Sequence, residues 1–191
     1  MLSFLNPNSF GKEGVDHINI SKMSTTQLGL LLDPSYFKVI DYPHLGKFAS
    51  VLNLWYWLKS DPLDDSFRRT TGFRLKGKIQ QVDTRNKVPN FKAIIGEATY
   101  IKLKQYPDGI KYLKSLRREV QFISYYIPKG TSIRMCSSYA MLMGEIVEVI
   151  RKDLREGREP DFTCLASHPE AIESHFLQLF LHKNLSASNS V

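Results

Sequence analysis

The sequence contains few cysteines and no long apolar run, and both shortages narrow what the chain can be. Cys136 and Cys164 are the only cysteines among its 191 residues. Two widely separated cysteines supply neither a disulfide framework nor a zinc site, so we expect each to be a small buried or half-buried side chain. Charged residues or proline interrupt every apolar stretch before it reaches the length of a transmembrane helix.

Targeting and cofactor signals are also missing. The N-terminal residues MLSFLNPNSFGKEG have neither the basic start nor the apolar stretch of a signal peptide. There is no phosphate-binding glycine loop, no zinc-ligand spacing and no nucleophile elbow. We therefore expect a soluble cytoplasmic protein without a membrane partner, a metal or a cofactor.

Acidic residues are scarce in the middle of the chain. The net charge is +7, and from Arg68 to Lys129 there are 15 Lys/Arg against 4 Asp/Glu. A basic block within a folded domain favours a polyanionic partner, either nucleic acid or a phosphate-rich nucleotide. A solvated basic face is the alternative interpretation.

Length and periodicity predict one mostly helical domain with a few short strands. The apolar fraction of 42% is typical of a globular protein. We predict an N-terminal segment over 1–17, a main domain over 18–157, and a linker, amphipathic helix and tail over 158–191. Predicted strands cover 15–23, 36–42 and 118–128, the first two of which could pair with each other. Predicted helices begin with an N-cap signal at Ser24 or Thr25, and near Ser50, Phe73, Asn90 and Pro107. Two more cover 137–157, capped by Ser137 or Ser138 and stopped by Gly157, and 167–185.

The segment FASVLNLWYWLKS, residues 48–60, holds both tryptophans of the chain. Val51, Leu54, Trp55 and Leu58 lie on one face of a helix. Because Trp55 and Trp57 are two residues apart, they cannot share that face. We expect one to pack inside and the other to meet a ligand pocket or a partner, where an aromatic ring can stack on a purine.

Five segments carry the most informative pattern, through their order and spacing. They are LGLLLDPS (28–35), SVLNLWYWLK (50–59), FRLKGK (73–78), FKAIIGEATYIKLKQY (91–106) and SSYAMLMGEIVEVIRKDL (137–154). This series resembles a diverged member of the NADAR superfamily, the YbiA-like N-glycosidases. The resemblance implies a multihelical NADAR/YbiA-like domain that binds ADP-ribose or a related nucleotide.

The resemblance also assigns expected residues. Ser50 falls at the family's motif serine and Lys59 at the lysine that follows it. Gly77 and Lys78 match a Gly-Arg pair, and Ala98 and Lys102 are in register with the next family helix. The expected ligand-binding set is Ser50, Asn53, Trp55, Trp57, Lys59, Arg69, Lys76, Lys78, Tyr125, Tyr126 and Arg134, in which strand alternation would send one of the two tyrosines inward.

The family's catalytic glutamate falls at Leu52, and its histidine falls at Asn53. Cleavage of an N-glycosidic bond needs a carboxylate near the anomeric carbon, where positive charge builds as the base leaves. We expect Asp33 to replace the missing acid, with Glu97 as the second candidate.

Three functions are therefore open. The first is a hydrolase that cleaves an N-glycosidic bond in a nucleotide or removes ADP-ribose from guanine in DNA. The second is a catalytically inactive module that binds a nucleotide. The third is a basic helical interaction protein that binds nucleic acid or another protein.

Overall fold

The computed structural model describes residues 6–60, 62–80, 88–137 and 139–166, without the side chain of Phe73. Helices predominate over strands in this part of the chain, as predicted. The helices are α1 Gln27–Leu32, α2 Val51–Lys59, α3 Gly72–Ile79, α4 Phe91–Lys104, α5 Pro107–Ser115 and α6 Ala140–Arg155. Single 3-10 turns cover Pro7–Ser9, Asp65–Arg68 and Thr163–Leu165. The predicted helix over 167–185 lies outside the described residues.

Six short strands form three separate pairs in the described residues: β1 His17–Asn19, β2 Ile40–Tyr42, β3 Gly46–Phe48, β4 Gln121–Ile123, β5 Tyr125–Tyr126 and β6 Met135–Cys136. β1 runs parallel to β4, whereas β2–β3 and β5–β6 are antiparallel. The expected pairing of 15–23 with 36–42 is therefore wrong, because each of these strands pairs elsewhere. The predicted strand over 118–128 is divided into β4 and β5 at Ser124.

Helix ends follow local hydrogen bonds. Thr26 caps α1, because its side chain accepts from the Gly29 backbone N–H. The predicted caps Ser24 and Thr25 are wrong, and Ser24 donates its hydroxyl to Glu13 instead. At α2 the predicted start near Ser50 is confirmed, and Ser50 is its N-cap, since its hydroxyl accepts from the Asn53 N–H.

The last described α-helix, α6, begins later than expected. Its N-cap is Tyr139, which makes no side-chain capping bond, and the predicted cap Ser137 instead accepts a hydrogen bond from the Ser124 hydroxyl. The other predicted cap, Ser138, lies outside the described residues. Gly157 ends the helix region as predicted, with a positive φ of 74° that glycine adopts without strain.

The backbone contacts divide the chain into two compact units. The first comprises Met1–Tyr36 and Leu103–Asp161, and the second comprises Phe37–Lys102 and Phe162–Val191. In the first unit α6 packs on β4 and α5, and α1 packs on α5 and β1. Its core includes Ile18, Leu28, Leu32, Leu113, Phe122, Met143, Ile146 and Ile150.

The second unit is built around α2, which packs on β3 and on the 3-10 turn Asp65–Arg68. Its core includes Ile40, Phe48, Val51, Leu54, Trp57, Leu58, Phe67, Ile94, Ile95 and Ala98. On α4, Gly96 leaves a notch that the ring of buried Phe162 fills, and a Cβ at this position would clash with that ring.

Cys136 and Cys164 are both exposed, so the expectation of buried or half-buried cysteines is wrong. Cys136 ends a two-residue edge strand and Cys164 lies in a 3-10 turn, and neither element offers a core position.

Among the described helices, none is both long and apolar enough to cross a membrane.

Candidate functional site

Both tryptophans of α2 are buried. Trp57 is 0% exposed and Trp55 is 9% exposed. The expectation that only one would pack inside is therefore wrong. It failed because α2 is enclosed on more than one side, so that opposite faces of the helix both meet protein: Trp57 packs on Phe48 and Trp55 packs edge-on against Phe91 of α4.

Trp57 belongs to a cluster that holds the second unit together. The guanidinium of Arg68 stands over the rings of Phe48 and Trp57, at 4.3 and 4.6 Å from their centroids. Asp65 accepts a hydrogen bond from the indole nitrogen of Trp57 at 2.9 Å and another from Arg68 Nε at 2.7 Å. Trp57 is thus a structural residue and offers no stacking surface to a ligand.

Ser50 and Asn53 tie the start of α2 to the segment that follows the helix. The Ser50 hydroxyl donates to Asn53 Oδ1 at 2.6 Å. Asn53 Nδ2 donates to the carbonyls of Phe67 and Thr70, at 2.5 and 2.7 Å. Both side chains are buried, and these bonds use both amide protons of Asn53. Ser50 and Asn53 therefore use these hydrogen-bonding groups on other parts of the protein.

Lys59 differs from every other predicted basic residue in its surroundings. Its ammonium lies 5.5 Å from the ring centroids of both Trp55 and Phe91. Burial lowers the pKa of Lys59. None of the described residues gives this ammonium an ion pair or a hydrogen bond. The end of α2 therefore presents a half-buried cation on an aromatic base, with its charge uncompensated by any described carboxylate.

The other predicted cations have ordinary surroundings. Arg69 and Lys76 are exposed. Lys78 forms an ion pair with Asp64 at 2.5 Å, and its ammonium lies 4.9 Å from the Phe67 ring centroid. Of these three residues, only Lys78 forms an ion pair or a ring contact with the described residues.

Among the described carboxyls of the second unit, Glu97 has the most unusual environment. It lies half-buried on α4, and the hydroxyl of Tyr42 donates a hydrogen bond to its Oε2. Burial raises the pKa of Glu97, and the hydrogen bond from Tyr42 offsets part of that rise. Burial and the neighbouring carboxylate raise the pKa of Tyr42, so the phenol keeps its proton and acts as a donor.

Asp33, the preferred replacement for the family acid, has a structural role. It ends α1 and is 2% exposed. Its Oδ1 accepts hydrogen bonds from the backbone N–H and the hydroxyl of Ser35, at 2.6 and 2.5 Å. These bonds form an Asx turn that directs the chain out of the helix. Glu97 is therefore the better candidate for a reactive carboxyl.

The two tyrosines of β5 alternate as predicted, with Tyr125 5% exposed and Tyr126 43% exposed. Tyr125 hydroxyl lies 3.1 Å from Nε2 of fully buried His17, and Arg134 stands over the Tyr125 ring at 5.1 Å. Arg134 also donates to the carbonyls of Pro7 and Phe10. This cluster joins the N-terminal segment to the β5–β6 hairpin.

The predicted residues are distributed over the two units. Asp33, Tyr125, Tyr126 and Arg134 belong to the first unit, and Glu97 with all remaining predicted site residues belongs to the second. Within the second unit the structure adds Tyr42 and Phe91, which sequence reasoning did not assign to a site. No local signal relates Tyr42 to Glu97, 55 residues later.

No group of three or more His, Cys, Asp or Glu that could hold a metal ion occurs in the part of the chain that the structure describes. Comparisons of the chain with protein-family models, with curated proteins and with solved structures give no match. The similarity to the NADAR superfamily therefore stays a prediction from the order and spacing of the five segments.

Proposed function

We propose that this protein binds ADP-ribose or a related nucleotide in the manner of the NADAR superfamily, and that Glu97 supplies the carboxylate for cleavage of an N-glycosidic bond. The observation that carries the proposal is the environment of Lys59. A half-buried ammonium is costly unless its charge is compensated. Two aromatic faces provide part of that compensation, worth about 0.5–2 kcal/mol each.

A phosphate group supplies the rest of the charge compensation that Lys59 needs beyond its two aromatic rings. It is anionic and accepts several hydrogen bonds, and a lysine ammonium donates three. A nucleotide adds a planar base that can pack on aromatic carbon. Among common metabolites, phosphate-bearing nucleotides combine both properties, which also suits the basic balance of residues 68–129.

The chemistry assigned to Glu97 follows from the different surroundings of its two carboxylate oxygens. Oε2 is held by Tyr42, whereas Oε1 accepts no hydrogen bond from any described residue. An ionised carboxylate with one oxygen held and one open can stabilise the positive charge that develops at an anomeric carbon. Leu52, at the family's glutamate position, cannot do this.

One experiment separates the proposed functions. The protein is incubated with ADP-ribose, NAD and DNA that carries ADP-ribosylated guanine, and thermal shift and base release are followed together. We expect a shift with ADP-ribose that Lys59→Met reduces at least about 10-fold in apparent affinity, the loss of one charge-assisted hydrogen bond. Lys47→Met, an exposed lysine of β3 in the same unit, is the matched control.

Variants of Glu97 and Asp33 then show which carboxylate, if either, acts in the cleavage. We expect Glu97→Gln to keep the thermal shift and to lower base release by about 100-fold or more. A shift without release in the wild-type protein would indicate an inactive nucleotide-binding module. Release that survives Glu97→Gln but is lost in Asp33→Asn would return the role to Asp33. Salt-sensitive DNA binding without any ADP-ribose shift would instead favour the basic interaction protein.

A further inference from the structure

Tyr42 is the donor that holds Glu97, and its own position is closely fixed. It is the last residue of β2, where it pairs with Gly46 across the β2–β3 hairpin. Its side chain is 2% exposed, so the ring has little freedom to turn away. The phenol therefore reaches Glu97 from a buried position on a hydrogen-bonded hairpin of the second unit.

This contact restricts the carboxyl in two ways. A hydrogen bond to Oε2 fixes the rotation of the carboxyl plane, which otherwise varies broadly in glutamate. A donor also favours the ionised carboxylate over the neutral acid. In the described residues, Tyr42 is the one hydrogen-bonding group that opposes the effect of burial on Glu97. The result is a carboxylate that is half-buried, oriented and still able to carry charge.

We propose that Tyr42 is a positioning residue, which orients the Glu97 carboxylate and keeps it ionised so that its free oxygen can face a cationic centre in the ligand. This inference rests on the proposed function for its catalytic meaning. Tyr42 itself acts through Glu97 and has no assigned contact with the ligand.

The test begins with the free protein. The protein is labelled with ¹³C at the glutamate carboxyl carbons, and the Glu97 signal is assigned by its absence in Glu97→Gln. We expect Tyr42→Phe to move the Glu97 titration midpoint upward by about 1 pH unit, the size expected for one hydrogen bond to a charged group. The control is Tyr56→Phe, because Tyr56 stacks on Phe67 and its hydroxyl has no hydrogen bond to a described residue. It should leave the midpoint in place.

A double-mutant cycle distinguishes a direct effect of Tyr42 on Glu97 from a general loss of structure. The free energies of unfolding of Tyr42→Phe, Glu97→Gln and the double variant are measured by urea denaturation. Non-additive effects support a direct coupling between the two side chains, whereas strict additivity together with an unmoved midpoint overturns the inference.

Base release distinguishes this inference from the proposed function. If the wild-type protein releases base, Tyr42→Phe should move the acid limb of the rate profile upward in pH with the NMR midpoint. Release with an unchanged limb and midpoint overturns the role of Tyr42 but leaves the proposed function intact. A moved midpoint without release in the wild-type protein supports the Tyr42–Glu97 relationship and overturns the proposed cleavage.

Discussion

The indole nitrogen of Trp57 donates a hydrogen bond to Asp65 at 2.9 Å, although Trp57 is fully buried and Asp65 lies near the surface. The same Asp65 oxygen accepts from Arg68, which covers the tryptophan ring. A single carboxylate thus satisfies a buried donor and anchors the cation that shields it. This explains how a tryptophan can pack on the second face of α2.

We expect Asp65→Ala to destabilise the second unit by about 1–3 kcal/mol, the cost of leaving a buried donor without a partner. Urea denaturation followed by tryptophan fluorescence measures this change. Asp41→Ala removes an exposed acid from β2 of the same unit and should change stability by less than about 0.5 kcal/mol. Equal effects of the two substitutions would contradict the role assigned to Asp65.

Two glycines in helices should respond oppositely to alanine. At Gly96 the new Cβ would clash with the ring of Phe162, so Gly96→Ala should destabilise by about 1–3 kcal/mol. At Gly77 on α3 there is open space, so Gly77→Ala should stabilise by about 0.5–1 kcal/mol. Thermal unfolding of both variants tests the pair. Adding Phe162→Leu should restore part of the loss in Gly96→Ala, and no recovery would argue against this contact.

Glu97 makes stability depend on pH in a defined direction. Its pKa is raised in the folded state, so the folded protein holds a proton that the unfolded chain releases above pH ~4.3. Its contribution therefore becomes unfavourable as pH rises through this window, and it levels off above the folded-state pKa. We expect Glu97→Gln to gain stability relative to the wild type as pH rises from 4 to 7. Urea denaturation across that range measures the difference, and a constant difference would contradict it.

His17 should make stability depend on pH in the opposite direction to Glu97. Burial, helped by Arg134, lowers the pKa of His17 despite the nearby acids Glu13 and Asp16. Below pH ~6.5 the unfolded chain binds a proton that the folded protein excludes, so stability falls as pH drops through this window. We expect the stability of His17→Gln to fall less between pH 7 and 5 than that of the wild type. An unchanged slope would mean that His17 does not titrate differently on folding.

The helices could be predicted from the sequence because their signals are local. The starts of α2 near Ser50 and of α4 near Asn90 follow from the spacing of apolar residues within one or two turns. The strand pairs could not be predicted in the same way. His17 pairs with Gln121, and nothing in either three-residue strand encodes that partner. Short strands carry too few residues for alternation to specify register.

The same difference between local signals and long-range contacts applies to the candidate site. Lys59 was selected by its position in a motif, and the structure gives it two aromatic neighbours. Asp33 was selected likewise, but its Ser35 hydrogen bonds direct it into a turn. The pairing of Tyr42 with Glu97 depends on how a hairpin packs on a helix, and that packing leaves no trace in local sequence.

The parallel pairing of β1 with β4 has a consequence for the order in which the protein folds during synthesis. β1 leaves the ribosome before its partner, which follows about a hundred residues later. At typical synthesis rates of about 5–20 residues per second, Ile18 and its neighbours stay unpaired for about 5–20 seconds. The residues between Phe37 and Lys102 are complete before that strand arrives. A nascent chain halted before Gln121 would therefore carry β1 unpaired, as a site for chaperone binding or for proteolysis.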